Sequence, residues 1–214
     1  MAPTDPRDAV FGIDVGTSAV KGVVVAAATG EVLAEAERPL ELVEVGALGA
    51  EQDADAWWAA TVAVLQELAG AAAAQRVRPR ALGLTGQKHA LLPLDAAGRP
   101  LHRAVLWCDG RALEETAEVH ARATRLVFAK DWLRLRLTDT FATDRTEASS
   151  SLLFDIGRKA WAPDLLALFE MSPTLLPTVV RSSDVAGHVT AAAAAETSLP
   201  VGLPVVGGAG DNEA

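Results

Sequence analysis

Short apolar runs broken by glycine open the chain. Val10 to Asp14 is the first, closed by Gly16-Thr17-Ser18; Gly22 to Ala27 is the second and Val32 to Arg38 the third, with the turn Thr29-Gly30 between them. Runs of this length punctuated by glycine are a hairpin signature, so the pattern predicts three consecutive strands in an antiparallel meander. The period then changes. Between Ala54 and Ala74, Trp57, Trp58, Val62, Leu65 and Leu68 recur at helical spacing, with Asp53 or Asp55 as the N-cap and Pro79 closing the region. Ala81 to Thr85 reads as the next strand. Ala90 to Leu94 is placed to pair with Leu101 to Leu106 through the turn Asp95 to Gly98. Helices are expected from Gly110 to Arg125, Asp131 to Leu137, Pro163 to Phe169 and His188 to Thr197, the third with proline at its tolerated first position. Val205 and Val206 then lead into Gly207-Gly208-Ala209-Gly210-Asp211. Three strands followed by helices alternating with strands define an α/β domain with a mixed sheet. There is no internal repeat and no long linker, so residues 10–214 are expected to form one domain, preceded by an extended or disordered segment over 1–9.

Composition narrows the function classes. Half of the 214 residues are hydrophobic and 22% are charged, which suits a globular chain with a sizeable core. A formal charge of −9 disfavours a nucleic-acid or anionic-membrane partner. The lone Cys108 excludes an intrachain disulfide and fits a reducing compartment. Met1 to Val10 lacks the apolar core of a signal peptide, and no run approaches the ~18 apolar residues of a spanning helix. A cytoplasmic protein is expected.

Four constellations could carry chemistry. Asp14 at a strand end, followed by Gly16, Thr17 and Ser18 with Lys21 close behind, suits a metal–phosphate site. Glycine admits an oxyanion to the backbone, the hydroxyls donate, and the carboxylate attracts Mg²⁺. It is not a Walker A loop, and a plain hairpin turn explains it as well. Gln87-Lys88-His89 follows a strand and could meet sugar hydroxyls, or be a solvated turn. In Trp107-Cys108-Asp109-Gly110-Arg111, Trp107 offers an apolar wall and Arg111 could fix Asp109 or a ligand oxygen; equally, Asp109 could cap a helix. Cys108 has no signature of a reactive thiol. The histidines at 89, 102, 120 and 188 lack zinc-site spacing. Finally, Asp211 and Asn212 follow a glycine-rich turn, where a carboxylate could deprotonate a hydroxyl, although glycine near a terminus is ordinarily a flexible tail.

The order of these pieces is more specific than any one of them. Ile13-Asp14-Val15-Gly16-Thr17-Ser18 with Lys21, Glu51-Gln52-Asp53 before Trp57-Trp58, Gly86-Gln87-Lys88-His89, Leu106 to Arg111, Lys130 to Thr138 and Gly208 to Asn212 together resemble the FGGY carbohydrate kinases, in particular their xylulokinases. The likeness runs from Phe11 to Asn212. It implies a ribonuclease H-like domain of the actin/hexokinase type. It also implies ATP-dependent phosphorylation of a sugar, D-xylulose to its 5-phosphate, with ATP and Mg²⁺. By the same likeness Asp211 would be the catalytic base with Asn212 beside it. Gln87, Lys88, His89, Trp107, Asp109 and Arg111 would build the sugar site. Asp14 would lie at the metal and nucleotide phosphates, with Gly16, Thr17, Ser18 and Lys21 at the phosphate turn.

The sequence also departs from that pattern. It stops just after Asp211, where the family continues into the domain that supplies most of the ATP site. This chain is therefore expected to be inactive alone and to need a C-terminal kinase half, in trans if separate. Family members carry a few tens of residues where Arg125-Leu126 runs into Val127-Phe128, so an internal deletion is expected near 126–127. Lys88 stands where xylulokinases commonly have Met or Gln. Kinases of L-ribulose, gluconate or glycerol, a non-catalytic sugar-binding or interaction module, and a gene fragment with no independent function are the competing readings.

Overall fold

The computed structural model describes residues 6–111 and 122–213. The meander is present: β1 (Arg7–Val15), β2 (Ala19–Ala26) and β3 (Val32–Pro39) pair antiparallel in succession. β1 starts at Arg7, so residues 7–9 belong to the sheet. Alternation decides which face is buried: Ala9, Phe11, Ile13 and Val15 point into the core, with the intervening residues on the other face.

After β4 (Val43–Val45) and β5 (Gly49–Gln52) comes α1 (Ala54–Ala74). Its N-cap is Asp53, whose carboxylate accepts the Asp55 amide at 2.9 Å. α1 buries Trp57, Trp58, Val64, Leu65 and Leu68 against the sheet, while Val62 is only partly covered. Gly22 admits this packing, because a Cβ there would lie 2.5 Å from Val64 Cγ1. The chain then returns in β6 (Val77–Gly86), parallel to β1. Pro79 is a correction. It does not end the helical region but sits inside β6, at a register shift against β1, where its missing N–H is tolerated.

β7 (Leu91–Leu94) and β8 (Ala104–Val105) form the expected hairpin, and together with β4, β5 and β9 (Arg125–Phe128) they make a second sheet in the order β4-β5-β8-β7-β9. Most of the helix expected over 110–125 lies outside the described residues; its last residue, Arg125, starts β9. α2 (Ala129–Thr138), β10 (Ala142–Asp144) and α3 (Arg145–Ser149) follow. The hairpin β11 (Phe154–Asp155) and β12 (Ala160–Trp161), helix α4 (Pro163–Leu168), and β13 (Thr178–Val180) on β10 come next.

The main sheet is completed by β14 (Val185–His188), β15 (Pro204–Val206) and β16 (Ala209–Gly210), in the order β14-β15-β6-β1-β2-β3, with β16 also on β6. His188 is a second correction. It belongs to β14, and the helix, α5, begins only at Ala191 behind the Thr190 cap. Among the described residues no helix is long and apolar enough to cross a membrane.

Candidate functional site

β1, β6 and β16 run parallel, so their carboxyl ends share one edge of the sheet, the edge where open α/β sheets usually receive ligands. The register places Asp14 beside Thr85, and Thr85 beside Ala209; one step further, Val15, Gly86 and Gly210 lie in a row. Asp211 follows directly, its amide donating to Gly86 O at 3.0 Å. At the usual strand spacing its backbone lies roughly 10 Å across the edge from that of Asp14.

The glycine turn is therefore packed rather than loose. Gly208 has φ of 75°, and a Cβ there would fall 2.0 Å from Leu84 O, so only glycine fits. Gly210 rests on the Lys88 stem, since its Cβ would meet Lys88 Cγ at 2.8 Å. Lys88 Nζ reaches past it to Glu213 Oε1 at 2.5 Å. His89 is exposed, with φ of 59°. Lys88 is thus brought against the Asp211 turn, whereas the His89 side chain is open to solvent.

Gln87 faces the other way. It is 2% exposed; Oε1 accepts from Thr17 Oγ1 at 3.1 Å, and Nε2 donates to Gln52 Oε1 at 2.8 Å. Gln52 in turn accepts from Trp57 Nε1 and donates to Thr17 O. Thr17 Oγ1 also accepts from Trp107 Nε1 at 3.2 Å, so Thr17 ties the turn after β1 to the Trp107 loop. Trp107 itself is 61% exposed, an indole wall open to the edge.

Asp109 and Arg111 brace that wall from behind. Asp109 accepts the amides of Ala50 and Arg111, both at 2.9 Å, and Arg111 Nη2 bridges Asp109 Oδ2 and Glu51 Oε1. Hydrogen bonding from Arg111, opposed by burial and helped by the Ala50 amide, holds Asp109 at about 2.

Asp14 Oδ1 accepts from Thr85 Oγ1 at 2.6 Å. Asp14, Lys21 and Thr85 line a cavity of about 390 Å³, together with Gly12, Gly83 and Gly208. Ser18 is exposed and Gly16 closes the turn through Ala19 O. Among the described residues no three His, Cys, Asp or Glu side chains converge as a metal cage. The Asp14 carboxylate is nevertheless an oxygen ligand of the kind Mg²⁺ takes alongside phosphates and water, and the Lys21 ammonium, which cannot bind a metal, is a cation suited to a phosphate oxygen.

A further cluster, not singled out from the sequence, lies beneath this edge: Lys130, Asp131, Arg134, Asp144 and Glu147, all with fully buried side chains. A signal for it exists in the Asp144-x-x-Glu147 spacing, which has the form of a capping box. Asp144 does cap α3, through the Thr146 amide at 2.8 Å. Glu147, however, accepts the His89 amide at 3.4 Å.

The chain belongs to the FGGY family of carbohydrate kinases, whose N-terminal domain matches residues 9–124 and 113–214. It is 31% identical over 238 residues to the xylulose kinase of Klebsiella pneumoniae, covering 95% of this chain and 48% of that protein. To the xylulose kinase of Streptomyces rubiginosus it is 34% identical over 242 residues, covering 96% and 49%. The crystal structure of the xylulose kinase from Rhodospirillum rubrum superposes with a TM-score of 0.89 at 30% identity, over 95% of this chain and 49% of that one. The fold is thus the actin/hexokinase type expected from the resemblance. The chain spans about half the length of the curated relatives it matches. An aligned span of 238 residues exceeds the chain's own 214, so these relatives carry residues that it lacks. The two family matches overlap at 113–124, so the match to the family is split there, ahead of the expected break at 126–127, which falls inside the continuous strand β9.

Proposed function

We propose that the chain is the sugar-binding portion of an ATP-dependent ketose kinase that converts D-xylulose to D-xylulose 5-phosphate. The observation that carries this reading is the seating of Asp211 on Gly86 O, with the preceding Gly210 on the Lys88 stem, at the same sheet edge as Asp14. In this reading the Asp211 carboxylate takes the proton of the attacking sugar hydroxyl, with Asn212 beside it. Lys88 and His89 orient the other hydroxyls, and the Trp107 indole walls the sugar's apolar edge. Gln87 acts indirectly, holding Thr17 and the turn after β1. Asp109 and Arg111 act indirectly too, by fixing the Trp107 loop. Asp14, Lys21 and the Gly16–Ser18 turn face the nucleotide phosphates. Magnesium ATP, when bound, supplies the transferable phosphoryl group and neutralises its charge, while the protein contributes mainly positioning.

That relatives at 31% and 34% identity are xylulose kinases supports D-xylulose over L-ribulose, gluconate or glycerol. The half-length match supports the need for a second polypeptide segment carrying the remaining ATP site. The test is reconstitution. The chain alone should show negligible ADP release with D-xylulose, and mixing it with the C-terminal half of a xylulose kinase relative should restore turnover. Robust turnover by the chain alone would overturn the need for a second half. Absence of turnover in the mixture, with both parts folded and associated, would overturn the kinase reading.

A further inference from the structure

The buried cluster touches both halves of the proposed site without reaching solvent. Gly210, one residue before Asp211, donates its amide to Thr146 Oγ1 at 3.0 Å. The Thr146 hydroxyl in turn donates to Asp144 Oδ1 at 2.6 Å. A hydroxyl has one hydrogen and two lone pairs. Facing an ionised carboxylate, which only accepts, its hydrogen is committed to Asp144 and its lone pairs are left for the Gly210 amide. Asp144 is itself held by Lys130 Nζ at 2.7 Å. Burial pushes its carboxyl upward, but Lys130 and the Thr146 donors outweigh that and hold it below the ordinary value. At the other end of the same turn, Arg134 Nη2 donates to Gly207 O, while Nη1 is fixed by Asp131 Oδ1 and Ala142 O. The residue after Thr146 is Glu147, which accepts the His89 amide.

We propose that α3 is a bracket that positions the Asp211 turn relative to the Lys88-His89 loop, with Thr146 as its contact to the turn, Glu147 as its contact to the loop, and Asp144 on Lys130 as its foundation. Thr146 is a positioning residue, its hydroxyl committed to Asp144 and Gly210. The inference rests on the kinase reading for its functional meaning, because Asp211 matters only if it is the base. Its geometric content does not. A displacement of about 1 Å in a reacting group can cost on the order of 10²-fold in rate, and the Gly210 amide is one peptide from the Asp211 Cα.

The experiment has two readouts on Thr146→Val, which keeps shape and removes the hydroxyl, and on Thr146→Ser, which keeps the hydroxyl. The first is amide hydrogen exchange in the chain as it stands. Gly210 should exchange about tenfold faster in Thr146→Val, the scale of one lost hydrogen bond, while β1 and β6 amides stay as in the wild type; Thr146→Ser should retain protection. Unchanged Gly210 exchange in Thr146→Val, or lost protection in Thr146→Ser, overturns the bracket. Should Thr146→Val fail to fold, Thr146→Ala, which also removes the hydroxyl, is read by the same two outcomes. The second is turnover in the reconstituted enzyme, where Thr146→Val should lower kcat about tenfold with the KM for D-xylulose little changed, and serine should restore it. A rise in KM at constant kcat overturns the positioning of the base. A wild-type mixture without turnover fails the kinase reading instead, and the exchange readout then still judges the bracket.

Discussion

Two charged clusters flank the proposed site, and they are satisfied to very different degrees. Around Trp107, Arg111 bridges Asp109 and Glu51 at 2.6 and 2.7 Å, and Asp109 takes two backbone amides besides. Beneath Asp211, two cations, Lys130 and Arg134, face three carboxyls, Asp131, Asp144 and Glu147. Among the described residues, Asp131 Oδ2 and Arg134 Nε have no hydrogen-bond partner. Burying charge costs more than a pair recovers unless every group is satisfied. The first cluster therefore locks a loop, whereas the second gives up stability to hold two segments of the proposed site in register. The surplus carboxyl shows the cost. Burial, with Asp131 and Asp144 adding to it against Lys130 and the His89 amide, pushes Glu147 up to about 8.

The contrast can be broken most forcefully at Lys130. Lys130→Met leaves the carboxyls without their shared cation, and urea unfolding should show a loss of roughly 3–5 kcal/mol. A loss within experimental error would mean that the cluster is not coupled as its distances indicate. Smaller effects sharpen the comparison through pH, because the two clusters have opposite signs. Glu147 is raised from 4.5 to about 8, so its contribution is complete below 4.5 and is lost as pH rises toward 8. Asp109 is lowered from 3.8 to about 2, so its contribution is present above 3.8 and is lost as pH falls toward 2. Glu147→Gln should flatten the decline of the unfolding free energy between pH 4.5 and about 8, whose slope is at most about 1.4 kcal/mol per pH unit. Asp109→Asn should flatten only the acid side. Like pH profiles for the two variants would erase the distinction.

Local signals made much of the fold legible. Asp53 and the apolar period after it define α1, and the glycine-punctuated runs define the meander. Errors arose where tertiary context overrides local preference. Pro79 reads as a breaker yet is accommodated at a shift in the β1–β6 register. His188 precedes an alanine run, but pairs with Pro204 in β14–β15. Lys130 and Arg134 stand in a stretch that local spacing marks only as helical. They are buried because Asp144 and Gly207, far along the chain, supply their partners. Within the site, the order of motifs marks the edge residues but not their orientation. Nothing local says that Gln87 turns inward toward Gln52 while Lys88 turns toward Gly210.

Phosphoryl transfer as proposed depends on the Asp211 carboxylate acting at the sugar hydroxyl. Its most direct measurement compares Asp211→Asn with wild type in the reconstituted enzyme, reading turnover and D-xylulose affinity together. The asparagine variant should bind the sugar nearly as well and turn over at least ~10²-fold more slowly, as expected when a positioned base is removed. A near-normal rate with intact sugar binding would contradict it.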